Sequence, residues 1–429
     1  MNGFVLRGAV CYNASPTTFD AREDAYVVCH DGVSAGVFDE IPPDYADLPL
    51  VDCAGKLICP GLVDLHVHAP QYTFRGTGAD LELLDWLNTY TFPEEAKYAD
   101  LSYAHQAYGY FVEDLARSAT TRAAIFGTLH VPATMLLMDK LEATGLKTFV
   151  GKVNMNRNSP DYLADGTAAD SLAATRAWLD GVEARGYSNT RPIITPRFTP
   201  SCDDELMSGL GRLAHERGLN VQSHLSENLS EIAWVKELCP WSSCYGQTYA
   251  RFGLLGDEGP AGGKAIMAHC NYCSDEEVRL LQAHGTYIAH CPQSNTLISS
   301  GMAPIRRYLD LGMNVGLGTD VAGGASLNMF RAVSDAVAVS KLRWRCVDQG
   351  LPPLSIQEAF WLATCGGGSF FGRVGSLVAG YEFDALVLDD SGIRTPRHLD
   401  AAQRLERFCH LSSEGGRIAH KFVAGCQLF

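Results

Sequence analysis

The chain has 429 residues, 46% hydrophobic and 19% charged, a composition that supports a sizeable core and excludes wholesale disorder. Its formal net charge is −15 and no basic cluster interrupts it, which argues against nucleic acid or an anionic membrane surface as a partner. Fourteen cysteines are scattered from Cys11 to Cys426, no apolar run is long enough to span a bilayer, and the opening MNGFVLRGAVCYN lacks the form of a signal peptide; a reducing, cytoplasmic setting with free thiols is expected. Residues 1–58 then read as short strands separated by turns (GFVLRGAVCYN, AYVVCHDG, GVSAGVFDEI). From about 60 to 320, β-rich runs alternate with stretches of helical spacing that stop at glycine, such as DELMSGLGRLAHERG and SDEEVRLLQAHG. The runs are LICPGLVDLHVH, TTRAAIFGT, LKTFVGKV, RPIITPRF, LNVQSHLSE, KAIMAHC, GTYIAHCP and MNVGLGTD. Eight strands alternating with helices are the pattern of an α/β chain closing as a (β/α)8 barrel, here over residues 59–375. The glycine-rich CGGGSFFG (365–372) lacks the Lys-Ser/Thr ending of a phosphate loop and reads as a helix start or turn. The last part, 376–429, is β-rich again (EFDALVLDD, GRIAHKFVAGCQLF), so the two ends are expected to pair into one small β-sandwich.

In a barrel of this kind the reacting groups lie at the C-terminal ends of the strands. In DLHVH a strand repeats every two residues, so His66 and His68 point the same way. The fifth run ends in His224, with Glu227 three residues on; the sixth ends in His269, the seventh in His290, and the eighth in Asp320. A single histidine at a strand end is ordinarily a satisfied polar residue. Of 13 histidines in the chain, five at the ends of apolar runs exceed what core packing produces, and a metal site is the better explanation. Imidazole and carboxylate donors without a thiolate suit Zn2+ or Fe2+ better than Mg2+ or Ca2+.

The set Asp64-x-His66-x-His68, His224, His269 and Asp320 resembles the metal-dependent amidohydrolase superfamily. The strings PGLVDLHVHAPQY, LLDWLNTYTFP, ITPRF, QSHLSEN, MAHC, IAHCPQSN and GLGTDVAGG are similar, in order and spacing from about residue 55 to 390, to the guanine deaminase family within it. The resemblance implies one Zn2+ per chain, with Fe2+ as the alternative, held by His66, His68, His224 and Asp320. It implies Glu227 as proton shuttle, His269 as a contact to the metal's water or the substrate, and Gln71, Arg197 and Phe198 as purine contacts beside His68, His224, Glu227 and Asp320. It also implies a purine substrate, guanine giving xanthine and ammonia, and a homodimer. The chemistry stands by itself: a divalent metal lowers the pKa of its water from 15.7 to roughly 7, Asp320 has a second oxygen to accept a proton, and Glu227 can pass one to a ring nitrogen and then to the leaving amine.

Other readings stand beside these. Arg197 follows an apolar run and would serve equally as an ion-pair partner, and Phe198 as core. His130 reads as structural or as support for a ligand, and His290 as a positioning residue, because four ligands already satisfy one zinc. Lys152 in FVGKV feeds a rival: a binuclear cyclic-amide hydrolase whose strand-borne lysine is carboxylated to bridge two metals. A metal-free scaffold would be expected to have lost ligands, and none is missing. The His-x-Glu with Pro-Cys-x-x-Cys pattern of cytidine-type deaminases is absent, and Cys270 and Cys273 have no second pair to complete a zinc knuckle. A pterin, 8-oxoguanine or a triazine is the alternative substrate, since HVPATM and MNRNSP fall in loops where specificity is set.

Overall fold

The computed structural model describes residues 3–256 and 263–429. The N-terminal part forms β1 (Gly3–Ser15), β2 (Thr18–His30), β3 (Val33–Phe38) and β4 (Leu50–Pro60). Ten strands follow: β5 (Leu62–His68), β6 (Thr120–Phe126), β7 (Lys147–Gly151), β8 (Val153–Asn154), β9 (Thr190–Pro192), β10 (Thr195–Pro196), β11 (Val221–Leu225), β12 (Ala265–His269), β13 (Tyr287–His290) and β14 (Asn314–Leu317). The C-terminal part contributes β15 (Ala385–Asp389), β16 (Arg417–Val423) and β17 (Cys426–Gln427).

The two chain ends do meet. Their strands form one seven-stranded mixed sheet in the order β17-β16-β15-β4-β1-β2-β3, with β15 running antiparallel along β4 and β1 parallel to it. Phe4 of β1 stacks on Phe422 of β16 at 4.9 Å and meets Phe383 edge-on at 5.4 Å, so both ends share one apolar cluster.

Between the ends lie two parallel four-stranded sheets, β5-β6-β7-β9 and β11-β12-β13-β14, and the short pair β8-β10. Backbone hydrogen bonds join the edges of the two larger sheets on both sides. Gln222 N donates to Ile194 O (2.9 Å) beyond β9, while Asp320 N donates to His66 O (2.8 Å) and His68 N to Val321 O (3.0 Å) beyond β14. Val63, Leu65, Ala124, Ile266, Ala268 and Ala289 from these strands pack together with Ile193 and Phe370. Every residue of β5 is buried, as parallel strands covered on both faces are.

The helices between them follow their sequence signals. Asp204–Arg217 is capped by Asp203 and stops at Gly218, whose φ of +61° suits glycine; Asp275–Ala283 is capped by Ser274. The stretch around CGGGSFFG is helical, continuing a turn at Leu362–Gly366 into Gly367–Phe371. Three runs that read as single strands are divided, LKTFVGKV among them at Lys152, between β7 and β8. LICPGLVDLHVH changes sheet at Pro60–Gly61, where a Cβ on Gly61 would lie 2.3 Å from Thr121. RPIITPRF is broken into β9 and β10 at Ile193–Ile194, where the backbone changes partner: Ile193 N donates to Val150 O (3.0 Å) and Ile194 N to Asn220 O (2.9 Å). All fourteen cysteines are free thiols, and no helix among the described residues is long and apolar enough to cross a membrane.

Candidate active site

His66 and His68 at the end of β5, His224 on β11 and Asp320 after β14 converge at one end of the parallel sheets. His68 Nε2 stands 3.2 Å from both His66 Nε2 and His224 Nε2, and Asp320 Oδ1 lies 3.1 Å from His66 Nε2 and 3.5 Å from His68 Nε2. The close approach is made possible by Gly318, where a Cβ would come within 2.9 Å of His66 Cβ. Asp64 braces the same place: it accepts hydrogen bonds from Thr319 N (3.0 Å), Thr319 Oγ1 (2.5 Å) and His66 N (3.2 Å), and burial pushes its carboxyl up to about 6.

This arrangement fits a cation. His224 Nδ1 lies 2.6 Å from Arg197 O, so it must carry the proton and leave a bare lone pair on Nε2. One N–H cannot satisfy both of His68's contacts, and the Nδ1 atoms of His66 and His68 are buried without partners. Burial, then the neighbouring imidazoles, hold His68 and His224 well below the usual histidine range, in the neutral form that metals bind. Burial opposes ionisation of Asp320, but His66, at hydrogen-bond distance, foremost outweighs it and lowers the carboxyl below its ordinary range. A positive ion among the four would take up the facing Nε2 lone pairs and Asp320 Oδ1 at once.

Glu227 and His269 lie next to this cluster. Glu227 Oε1 accepts from Ser300 Oγ at 2.8 Å, and its Oε2 is 3.3 Å from His269 Nε2. Burial first, and Asp320 second, push the Glu227 carboxyl up to about 8. The state of His269 follows from a chain of amides. Asn271 Nδ2 donates to the Glu227 carbonyl (3.0 Å), so Asn271 Oδ1 accepts from Asn295 Nδ2 (2.9 Å), and Asn295 Oδ1 therefore accepts from His269 Nδ1 (2.9 Å). A backbone carbonyl can only accept, so each amide has a forced orientation and His269 Nδ1 carries a proton. His269 Nε2 is 3.8 Å from Asp320 Oδ2, farther than from Glu227.

Above the cluster lies a small cavity of about 30 Å3 that opens toward solvent. His68, His224, Glu227, His269 and Asp320 form its floor, and Gln71, Arg197 and Phe198 line it with the apolar Leu83, Trp86, Leu87 and Ile298. Arg197 is both a cavity residue and one half of a buried ion pair, with Glu95 at 2.6 Å. Phe198 is buried as a core residue would be and still faces the cavity. His290 is buried beside His269, pushed down to about 3 by burial, and belongs to neither cluster of converging metal-binding atoms found among the described residues. His130 is half-buried at the start of the helix Val131–Glu142. Lys152 is fully buried but taken up: its Nζ lies 2.7 Å from both oxygens of Asp165. Sequence reasoning did not find Glu95, Ser300, Asn271 or Asn295. The two asparagines lie in the strings HCNYC and CPQSN beside strand-end histidines, which is a usable signal; Glu95 in FPEEA carries none.

Comparison with known proteins agrees with this geometry. Residues 57–423 match the amidohydrolase family. The guanine deaminase of Dictyostelium discoideum is 41% identical over 343 residues, 79% of this chain and 74% of that protein. That of Rattus norvegicus is 40% identical over 387 residues, 87% of this chain and 83% of the other. Among solved structures, guanine deaminase from C. acetobutylicum with guanine bound in its active site has a TM-score of 0.94 at 43% identity, covering 100% of both chains. With a ligand cluster at the strand ends and likeness over its whole length, the chain belongs to the amidohydrolase family and, within it, to the guanine deaminases.

Proposed function

We propose that this chain hydrolyses guanine at its exocyclic amine, releasing xanthine and ammonia, and so acts on a carbon–nitrogen bond of a cyclic amidine. The observation that carries this reading is the full-length similarity to a guanine deaminase solved with guanine in its active site. His66, His68, His224 and Asp320 would hold one divalent ion, and their imidazole and carboxylate donors favour Zn2+, with Fe2+ second. When bound, the ion supplies Lewis acidity, bringing the pKa of a water there from 15.7 to about 7 so that a nucleophile is available at neutral pH.

The rest is done by side chains. Asp320 turns Oδ1 toward the imidazoles and keeps Oδ2 on the side of His269, where it can take the proton of the attacking water. Glu227, protonated near neutral pH by its burial, gives its proton to the ring nitrogen beside the attacked carbon and then relays one to the departing amine. His269, held through Nδ1, steadies the developing hydroxyl group. Gln71 and Arg197 hold the far edge of the purine, and Phe198 covers its flat face. The Lys152–Asp165 pair weighs against the binuclear alternative, because a lysine must be free to be carboxylated.

The finer organisation belongs to the same reading. Residues 59–375 close as a (β/α)8 barrel, supported by the hydrogen bonds that join both pairs of sheet edges. Residues 1–58 and 376–429 curl into a small sandwich around Phe4, Phe383 and Phe422. A cytoplasmic homodimer in purine catabolism or salvage completes the reading.

The test is ammonia release from guanine, adenine, 8-oxoguanine and a pterin under matched conditions. Guanine should exceed adenine by about 10^4, as a site built to bond one polar group rejects its replacement. Turnover of a pterin or 8-oxoguanine far above that of guanine would transfer the reading to those substrates.

A further inference from the structure

Gln71 and Arg197 come from distant parts of the chain, yet one carboxylate holds both. Glu95 Oε1 accepts from Gln71 Nε2 at 2.9 Å, and Glu95 Oε2 accepts from Arg197 Nη1 at 2.6 Å. Glu95 is 1% exposed. Because a carboxylate only accepts, the polarity of the Gln71 amide is forced: Nε2 faces Glu95, and Oε1 accepts from Ala322 N at 3.2 Å. A flipped amide would set oxygen against the carboxylate and NH2 against the Ala322 N–H. Arg197 is fixed in the same way, with Nη1 on Glu95 and its guanidinium 5.1 Å from the Phe92 ring. Its Nη2 and Nε donate to no acceptor among the described residues.

Glu95 sits on the short helix Phe92–Ala96, directly after a widened turn at Leu87–Thr91, an irregularity that recurs at functional sites. The same segment provides Leu83, Trp86 and Leu87 to the cavity wall. Its neighbour Glu94 accepts from Thr73 Oγ1 at 2.5 Å and from the Tyr103 hydroxyl, and Thr73 lies two residues past Gln71 in the turn Ala69–Phe74. Adjacent glutamates thus tie the cavity wall to the turn that carries Gln71.

We propose that Glu95 is a specificity-determining positioning residue: by fixing the polarity of Gln71 and the free N–H groups of Arg197, it selects purines that carry a carbonyl opposite those donors. This rests on the guanine reading above. Locked donors penalise a substrate without the matching acceptor, because they would stay buried and unpaired. Without Glu95, Gln71 turns either way and Arg197 swings, and discrimination falls.

The experiment compares kcat and KM of wild type, Glu95→Gln and Glu95→Asp on guanine and on 2-aminopurine, which keeps the reacting amine and lacks the carbonyl. In Glu95→Gln the guanine to 2-aminopurine ratio of kcat/KM should fall at least about tenfold, the worth of a hydrogen bond to a charged group, with the loss concentrated in the KM for guanine. Glu95→Asp, which keeps the charge, should recover part of the ratio, and metal content should not change. Equal losses on both substrates, or an unmoved ratio in whichever variant folds, would overturn the proposal. Wild type inactive on guanine removes the functional reading and the proposal with it; wild type active with an unmoved ratio removes the proposal alone.

Discussion

At and beneath the floor of the cavity, three imidazole nitrogens and a carboxylate oxygen stand 3.1–3.5 Å from their neighbours with more lone pairs than protons, whereas at its far wall Gln71 and Arg197 meet Glu95 behind them donor to acceptor. The floor is short of positive charge, which a cation would supply; the wall is braced by its own ion pair and keeps N–H groups of Arg197 free for a ligand. The two should therefore fail differently. Damage to the floor removes the ion and the reaction, and damage to the wall alters which ring is accepted.

The largest expected effect is on the floor. Replacing His66 with alanine should abolish metal retention and turnover together, read by metal analysis and ammonia release. Next comes Glu227→Gln, which should lower kcat by about 10^2–10^4 while the ion stays, since in the proposed mechanism Glu227 moves protons and lies outside the ligand set. Near-full turnover in that variant would remove the proton shuttle from the mechanism.

A third change sharpens the contrast between satisfied and unsatisfied buried charge. Lys152→Met strands Asp165 and should cost about 3 kcal/mol in urea unfolding, yet leave metal content and turnover on guanine unchanged. Loss of metal would instead place Lys152 at the reaction centre. The last effect, on stability alone, lies far from the cavity, at Lys421, whose Nζ donates to Ala116 O and Ser118 O and which burial pushes down to about 7, against Asp384. Between pH 7 and about 10 the unfolded chain binds a proton that the folded chain lacks, so this lysine makes stability rise with pH by at most about 1.4 kcal/mol per unit. Below pH 7 both states are protonated and the slope vanishes. Lys421→Met should flatten the unfolding free energy over pH 7–9.5, and an unchanged slope would show that the buried amine stays charged.

The same contrast explains what could be read from the sequence. The floor is visible there because strand periodicity puts His66 and His68 on one side, and strand ends are where such folds react. Parallel strands and glycine-stopped helices were equally legible. The wall was not, because its organiser lies 24 residues from Gln71 and 102 from Arg197, on a helix of five residues whose paired glutamates look like a solvated first turn. Arg197 shows the limit well: its residues alone suggested an ion pair, the family resemblance suggested a substrate contact, and it is in fact paired with Glu95 and lines the cavity. Strand breaks at Pro60 and inside RPIITPRF were missed because a continuous apolar run does not reveal where a chain leaves one sheet for another.

The most direct test of the central claim is a metal titration of the chelated protein, with ammonia release from guanine as the readout. The account predicts no turnover after chelation, then recovery that rises with added Zn2+ and saturates at one ion per chain, in keeping with the convergence of His66, His68, His224 and Asp320 on one place. Saturation only at two ions per chain, or full turnover in the chelated protein, would contradict it.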